Sequence, residues 1–209
     1  KKYKIIFTAQ DPGGFNAIAP VIKKIEKDKK FDLLVILAKH ARLFAKKQNI
    51  KYSDADKMPL NKLEADLIVT GTSFGDSIEK RVIALAKNKN ITTISIVDFW
   101  TDYTPSFSDP ETGNLKYLPD YILAVDEIMK KEMVLNCFPP DKIFITGNPH
   151  FDSFPQKSRH KTDKNLIAFF SQPFSEIYKN NSKDYKDCAK FEEVKVFYNI
   201  VKAEEKIDL

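Results

Sequence analysis

The chain has 209 residues, of which 43% are hydrophobic, enough for a buried core in one domain or in one domain and part of another. Its net charge of +5 comes mostly from lysines scattered over predicted helices and linkers, which is typical of a solvated surface rather than of a nucleic-acid-binding face. No run approaches the roughly 18 apolar residues of a membrane helix, and no signal-peptide pattern precedes the first strand. We therefore expect a cytoplasmic protein, with peripheral contact to an anionic membrane left open.

Apolar runs alternate with helical patterns along the first two thirds of the chain. Strands are predicted at residues 4–9, 33–38, 66–70, 93–97, 121–125 and 142–146, and helices at 17–25, 41–48, about 75–88 and about 127–136. Strands that are apolar on both faces must be covered on both, which predicts an α/β, Rossmann-like parallel sheet with helices on both faces. Right-handed crossovers place the strand-to-helix loops at one edge of that sheet, where a site is expected.

A turn and a basic linker indicate that a second domain begins near the end of the chain. The turn is Gly147-Asn148-Pro149, and a new apolar strand is predicted at 166–170. We predict a Rossmann-like domain over residues 1–154, a linker over 155–165 and an incomplete second α/β domain over 166–209. On this interpretation the chain holds only part of a two-domain protein.

The first strand is followed by residues 10–16, Gln-Asp-Pro-Gly-Gly-Phe-Asn, and then by a helix. Gly13 and Gly14 would allow a sharp turn and a close approach to a ligand, and free amides at a helix start attract phosphate or carboxylate. Asp11 would repel phosphate unless it binds a hydroxyl group or acts as a base. With Asn16, these residues form a candidate binding loop, while a tight turn capped by Asp11 is the structural alternative.

The third predicted strand leads into residues 70–77, Thr-Gly-Thr-Ser-Phe-Gly-Asp-Ser. Small hydroxyl residues between two glycines, here Thr72 and Ser73, suit a loop that holds a ligand with hydroxyl groups and backbone amides. Helix capping by Ser73 or Asp76 explains the same residues.

Asp98, Phe99, Trp100 and Tyr103 follow the next predicted strand. A carboxylate beside aromatic surface is a candidate general base, because partial desolvation raises its proton affinity, and the rings of Trp100 and Tyr103 could stack on a sugar or a base. In the structural alternative, Phe99 and Trp100 fill the core and Asp98 caps a turn.

The turn near residue 148 also carries polar side chains. Asn148 is a candidate binding residue and His150 a candidate proton shuttle, although a lone histidine and an Asn-Pro turn also have ordinary structural roles. No metal or other cofactor is predicted, because no cysteine or histidine has companions at ligand spacing.

With these loops in order, the chain resembles the amino-terminal half of two-domain nucleotide-sugar enzymes of the GT-B type. The group includes surface-polysaccharide glycosyltransferases, CDP-glycerol glycerophosphotransferase-like proteins and UDP-N-acetylglucosamine epimerases. The resemblance covers about residues 4–178 and rests on residues 11–16, 70–76, 98–100, 118–120, 125–127, 147–152 and 170–173.

In such enzymes the first domain holds the acceptor and the second holds most of the nucleotide donor. The resemblance therefore implies that Gly13, Gly14 and Asp98 face the acceptor, while Ser171 and Gln172 begin the donor side. The epimerases carry a Gly-Asp pair after the third strand and a Glu-Ala-Gly-Leu-Arg run after the next. This chain differs at both places, which favours a transferase over an epimerase.

We expect the parent protein to transfer a sugar or polyol phosphate from a nucleotide donor to a glycan or lipid-linked acceptor, as in polysaccharide biosynthesis, and the isolated chain to be inactive. Asp98 is the first candidate for the base and Asp11 the second, and helix amino termini would stabilise the leaving diphosphate. A nucleotide-sugar epimerase or hydrolase and a non-catalytic Rossmann-like binding module are the alternatives. The oligomeric state is left open.

Overall fold

A computed structural model describes residues 2–154, residue 170 and residues 193–204. The chain divides into two compact units, residues 1–156 and 157–209. Most of the predicted second-domain start, including Ser171 and Gln172, lies outside the described residues, so the predicted domain boundaries stay predictions. Of the described helices, none is long and apolar enough to cross a membrane.

The first unit contains a parallel sheet of seven strands in the order β3-β2-β1-β4-β5-β6-β7. The strands are β1 (Tyr3–Ala9), β2 (Phe31–Leu37), β3 (Ser53–Asp54), β4 (Leu67–Thr70), β5 (Thr92–Ile96), β6 (Tyr121–Ala124) and β7 (Ile143–Ile145). In the central register Ile5 of β1 pairs with Leu33 of β2 and with Leu67 of β4. The predicted α/β architecture is therefore confirmed.

Five α-helices connect these strands, and the described residues of the second unit include one further helix. They are α1 (Pro12–Ile25), α2 (Ala41–Lys47), α3 (Ile78–Lys89), α4 (Tyr103–Phe107), α5 (Glu127–Leu135) and α6 (Glu193–Glu204). Short 3₁₀ turns cover Ala55–Lys57, Leu60–Lys62, Pro140–Lys142 and Pro149–Ser153.

Two helices start at different positions from those predicted. α1 begins at Pro12 rather than residue 17, because a proline at the first helical position loses no hydrogen bond and already has a helical φ. α3 begins at Ile78 rather than residue 75, because Gly75 has a φ of +67° and Ser77 caps the helix by accepting a hydrogen bond of 3.4 Å from the Lys80 amide.

The central strand supplies both faces of the core. Ile5, Phe7 and Ala9 of β1 pack in a cluster with α1, whereas Ile6 packs in a cluster with α3. Because the strand order reverses at β1 and β4, the loops that follow these two strands lead to opposite faces of the sheet. Such a reversal leaves a crevice at the carboxyl edge, the usual ligand position in open α/β sheets.

Candidate functional site

The first turn of α1 and the loop after β4 touch backbone to backbone at this crevice. A Cβ atom on Gly14 would lie 2.7 Å from the carbonyl oxygen of Thr72, and one on Gly71 would lie 2.6 Å from the Cα of Gly14. Real Cβ atoms do not approach backbone so closely, so the contact requires glycine on both sides. The prediction that Gly13 and Gly14 form a turn ahead of the helix was wrong, because both lie within α1.

Asp98, just beyond β5, joins the same contact. A Cβ atom on Gly13 would lie 2.0 Å from Asp98 Oδ2, so the carboxylate rests on the bare backbone of α1. Thr72 Oγ1 donates a hydrogen bond of 2.6 Å to Asp98 Oδ1. The loops after β1, β4 and β5 thus meet at one carboxylate.

The environment of Asp98 raises the proton affinity of its carboxylate. Burial raises the pKa of Asp98 above the usual value for an aspartate, and the nearby Asp11 carboxylate adds to the effect. The hydrogen bond from Thr72 acts in the opposite direction, because it stabilises the ionised form. A half-buried carboxylate with a raised pKa has the properties of a general base.

A cavity of about 190 Å³ opens beside Asp98. The predicted site residues that line it are Asp11, Gly13, Gly14, Thr72, Ser73, Asp98 and Tyr103. Its volume is below the roughly 300–1,000 Å³ of sites that enclose a whole drug-sized ligand. A cavity of this size suits a sugar-sized group rather than a complete nucleotide sugar.

Glu79, which sequence reasoning missed, links the loops after β1 and β4. Its Oε1 accepts hydrogen bonds from the Gln10 amide at 2.9 Å and from Ser73 Oγ at 2.7 Å. Ser73 Oγ in turn accepts one of 3.2 Å from the amide of Asp11. Ser73 therefore links loops rather than capping α3. An acidic residue in the first turn of a helix ordinarily indicates only a favourable interaction with the helix dipole. The sequence position of Glu79 therefore did not indicate that its side chain is buried.

Asp11 occupies the N-cap position of α1, but its side chain makes no capping hydrogen bond. The predicted structural alternative, a turn capped by the Asp11 carboxylate, is therefore wrong, because the carboxylate does not form the capping hydrogen bond. The carboxylate instead contributes to the lining of the cavity. It remains a second candidate base there.

The burial of Glu79 predicts a pH-dependent stability. Glu79 is 2% exposed, and burial raises its pKa above the ordinary value of 4.5. As the pH rises from 4.5, the ordinary pKa, toward the higher pKa of the folded chain, Glu79 ionises in the unfolded chain before it does so in the folded chain, and the free energy of unfolding decreases. We expect Glu79→Gln to flatten the profile, by at most about 1.4 kcal/mol per pH unit, in urea unfolding from pH 4.5 to 7.

The matched control for this prediction is Glu64→Gln, which removes the same charge from an exposed position. Its pH profile should follow that of the wild type. Parallel profiles for the wild type and Glu79→Gln would contradict the prediction.

Trp100 is directed away from the Asp98 cavity. Its Nε1 donates a hydrogen bond of 2.8 Å to Asp126 Oδ2, and its ring stacks on Phe151 with centroids 6.3 Å apart. Trp100 also packs against the core cluster around β6 and α5 and lines a separate cavity of about 390 Å³. The structural alternative thus holds for Trp100 but not for Phe99, which is 59% exposed.

Tyr103 lines the Asp98 cavity. Its hydroxyl group lies within hydrogen-bonding distance of the Trp100 carbonyl oxygen and is 2.9 Å from Glu132 Oε2. Burial and the Glu132 carboxylate raise the pKa of Tyr103, so the phenol stays protonated. The ring is consequently held rigidly beside the cavity.

The predicted residues Asn148, His150 and Asn16 do not line the Asp98 cavity. Asn148 is buried, and its Oδ1 accepts a hydrogen bond of 3.0 Å from the His150 amide while its Nδ2 lies 3.5 Å from the carbonyl oxygen of Asp98. Asn148 therefore supports the Asp98 loop from behind. His150 and Asn16 lie together in another cavity.

Cys137 is a free, exposed thiol. In the part of the chain that the structure describes, no group of three or more histidine, cysteine or acidic residues is placed to hold a metal ion.

The sheet order, the crevice and the converging loops define a Rossmann-like α/β fold, and solved structures of GT-B nucleotide-sugar enzymes share this fold. No protein-family pattern and no curated protein matches the chain.

Solved structures with this fold include UDP-N-acetylglucosamine 2-epimerases. The enzyme from Neisseria meningitidis bound to UDP-GlcNAc is 20% identical, with a TM-score of 0.52 over 71% of this chain and 48% of that one. A putative enzyme from Listeria monocytogenes is 15% identical, with a TM-score of 0.55 over 77% and 49%. A further solved structure of like fold, S. aureus MnaA in its UDP co-structure, is 14% identical, with a TM-score of 0.53 over 70% and 44%. The chain thus spans about half the length of these proteins, and the likeness confirms the predicted fold.

Proposed function

We propose that this chain forms one side of the active site of a nucleotide-sugar enzyme, with Asp98 as a general base for a hydroxyl group held in the 190 Å³ cavity. The observation that carries the proposal is the Asp98 carboxylate itself. It is half-buried, has a raised pKa and stands at the sheet edge where three loops meet. Asp11 is the second candidate for the base.

The two carboxylate oxygens of Asp98 have different surroundings. Oδ1 accepts the hydrogen bond from Thr72, which fixes the orientation of the carboxylate. Oδ2 rests beside Gly13, and we assign it the role of taking the proton. Deprotonation of an acceptor hydroxyl by a positioned carboxylate is the step that glycosyl transfer requires.

The proposed ligand follows from the fold and from the size of the cavity. The Neisseria and S. aureus proteins were crystallised with UDP-GlcNAc and UDP, respectively. A cavity of about 190 Å³ would take the sugar or the acceptor hydroxyl, with the nucleotide lying outside it. We propose transfer of a sugar or polyol phosphate from a nucleotide donor to a glycan or lipid-linked acceptor.

A nucleotide-sugar epimerase or hydrolase is the second candidate. It is favoured by the solved structures of like fold, which include three 2-epimerases with TM-scores from 0.52 to 0.55. It is disfavoured by Gly71-Thr72 and Asp98-Phe99-Trp100, which stand where the resemblance to epimerases calls for Gly-Asp and Glu-Ala-Gly-Leu-Arg.

Binding is tested first, with the 209-residue chain. Thermal unfolding is followed with UDP, CDP and GDP sugars and with the free sugars, since a ligand at 100 times its Kd adds about 2.7 kcal/mol to the free energy of unfolding. Cross-peaks from Thr72 and Gly13 in NMR spectra report whether the ligand occupies the Asp98 cavity.

Turnover is tested with the full-length protein. Nucleotide release that requires an acceptor supports the transferase, and release or sugar inversion without an acceptor supports the epimerase or hydrolase. Binding without turnover under either condition supports the non-catalytic module. Absence of both binding and turnover would overturn the proposal.

A further inference from the structure

The cavity that holds Asn16 and His150 has a volume of about 550 Å³ and lies farther along α1 than the Asp98 cavity. It is bordered by α1, by the end of α2 and by the turn Pro149–Ser153. The residues considered below are Asn16, Lys23, Lys24, Gln48, His150 and Asp152. None of them lines the Asp98 cavity, so the two cavities are lined by different residues.

Hydrogen bonds orient three of the polar side chains that line this cavity. Lys23 Nζ donates to Gln48 Oε1 at 2.9 Å, and Gln48 Nε2 donates to Asn16 Oδ1 at 3.2 Å. Each amide oxygen is thereby engaged as an acceptor. The polar hydrogens that remain on these three side chains belong to N–H donors, which suit a ligand that only accepts hydrogen bonds.

The charges around the cavity also favour a ligand that accepts hydrogen bonds and carries a negative charge. Lys24 adds a second ammonium group and Asp152 one carboxylate, and among the described residues none of Lys23, Lys24 and Asp152 forms an ion pair within 4.0 Å. Two unpaired ammonium groups against one carboxylate leave an excess of positive charge. The imidazole of His150 can supply a further N–H donor.

We infer that this cavity is a second binding site, specific for an oxyanion, either the phosphate or the carboxylate group of an acidic ligand. Such a group accepts hydrogen bonds through all its oxygens and pairs with ammonium groups through charge-assisted bonds. The network from Lys23 through Gln48 to Asn16 holds the donors in place before the ligand arrives, which reduces the entropy lost on binding.

NMR titration of the 209-residue chain tests the inference. Glycerol 3-phosphate and glucuronate serve as separate probes at low ionic strength, so the two arms distinguish phosphate from carboxylate. We expect saturable shifts of the side-chain amide signals of Asn16 and Gln48 with at least one probe. If neither probe shifts these signals, the inference is overturned.

Variants distinguish a binding site in this cavity from general electrostatic attraction of an anionic probe to the positively charged chain. We expect the double change Lys23→Gln and Lys24→Gln to weaken probe binding by about tenfold, since each charge-assisted contact contributes about 0.7 kcal/mol. Lys29→Gln with Lys30→Gln removes the same charge from exposed positions beyond α1 and should change the Kd by less than about twofold. Equal losses in the two double variants would overturn the inference.

A substitution at Asp152 gives the most specific test, because its expected effect on probe affinity is opposite in sign to that of the lysine substitutions. Asp152→Asn removes the carboxylate that repels an anion and keeps the shape of the side chain. We expect this variant to tighten binding of the probe severalfold. Weaker binding of the probe by Asp152→Asn would overturn the inference, because the Asp152 carboxylate would then assist binding rather than oppose it.

Discussion

Replacing Asp98 with asparagine is expected to lower nucleotide-sugar turnover by about 10²–10⁴-fold, the usual contribution of a general base. Asparagine keeps an oxygen for the hydrogen bond from Thr72 but cannot take a proton. Binding of the nucleotide sugar should change little, because only the proton transfer is lost. Steady-state turnover by the full-length protein, together with a direct measurement of Kd, checks this prediction.

Two controls guard the interpretation of Asp98→Asn. The variant should be at least as stable as the wild type at pH 7. Burial of the Asp98 carboxylate disfavours its charged form, and asparagine carries no charge to bury. Thr72→Val should raise the pKa of Asp98 further, because the ionised form loses a hydrogen bond, and should move the acidic limb of the pH–rate profile to higher pH. Wild-type turnover in Asp98→Asn would exclude Asp98 as the base.

The second large effect is expected from Gly14→Ala. In an open helix, replacing glycine with alanine raises the free energy of unfolding by about 0.5–1 kcal/mol. At Gly14 the added Cβ would lie 2.7 Å and 2.8 Å from backbone atoms of Thr72, and backbone within a packed sheet edge cannot rotate away. We expect a loss of about 1–3 kcal/mol in the free energy of unfolding, measured by urea denaturation.

Gly13→Ala provides the matched comparison. The two glycines are adjacent in α1, but the Cβ added at Gly13 meets the Asp98 carboxylate, a side chain that can turn aside. Gly13→Ala should therefore cost less stability than Gly14→Ala while displacing the carboxylate from its position. Gly14→Ala as stable as the wild type would show that the two loops do not pack as described.

The sequence predicted the strands well because β1, β2 and β4 are continuous apolar runs. It missed β3, which has only the two polar residues Ser53 and Asp54, and α4, which contains Pro105 and a single turn. It started α1 five residues late, at residue 17, because Pro12, Gly13 and Gly14 are weak helix formers inside a helix.

The sequence predicted that the loops after β1, β4 and β5 lie together at one edge of the sheet, and they do, because parallel topology alone places those loops together. The direction of individual side chains could not be predicted in the same way. Trp100 turns toward Asp126, and His150 lies with Asn16 in another cavity. Glu79 is buried by contacts with Gln10 and Ser73, residues whose approach depends on the completed sheet.

The contact between Gly14 and Gly71 links two parts of the chain that are distant in sequence. A side chain at Gly14 would require the backbone of Thr72 to shift, and one at Gly71 would require the backbone of Gly14 to shift, so natural variants should keep glycine at both positions or change both together. The same constraint applies to laboratory recombination. A chimera that exchanged the first strand–helix segment without the segment after β4 would fold only if glycine stood at both contact positions.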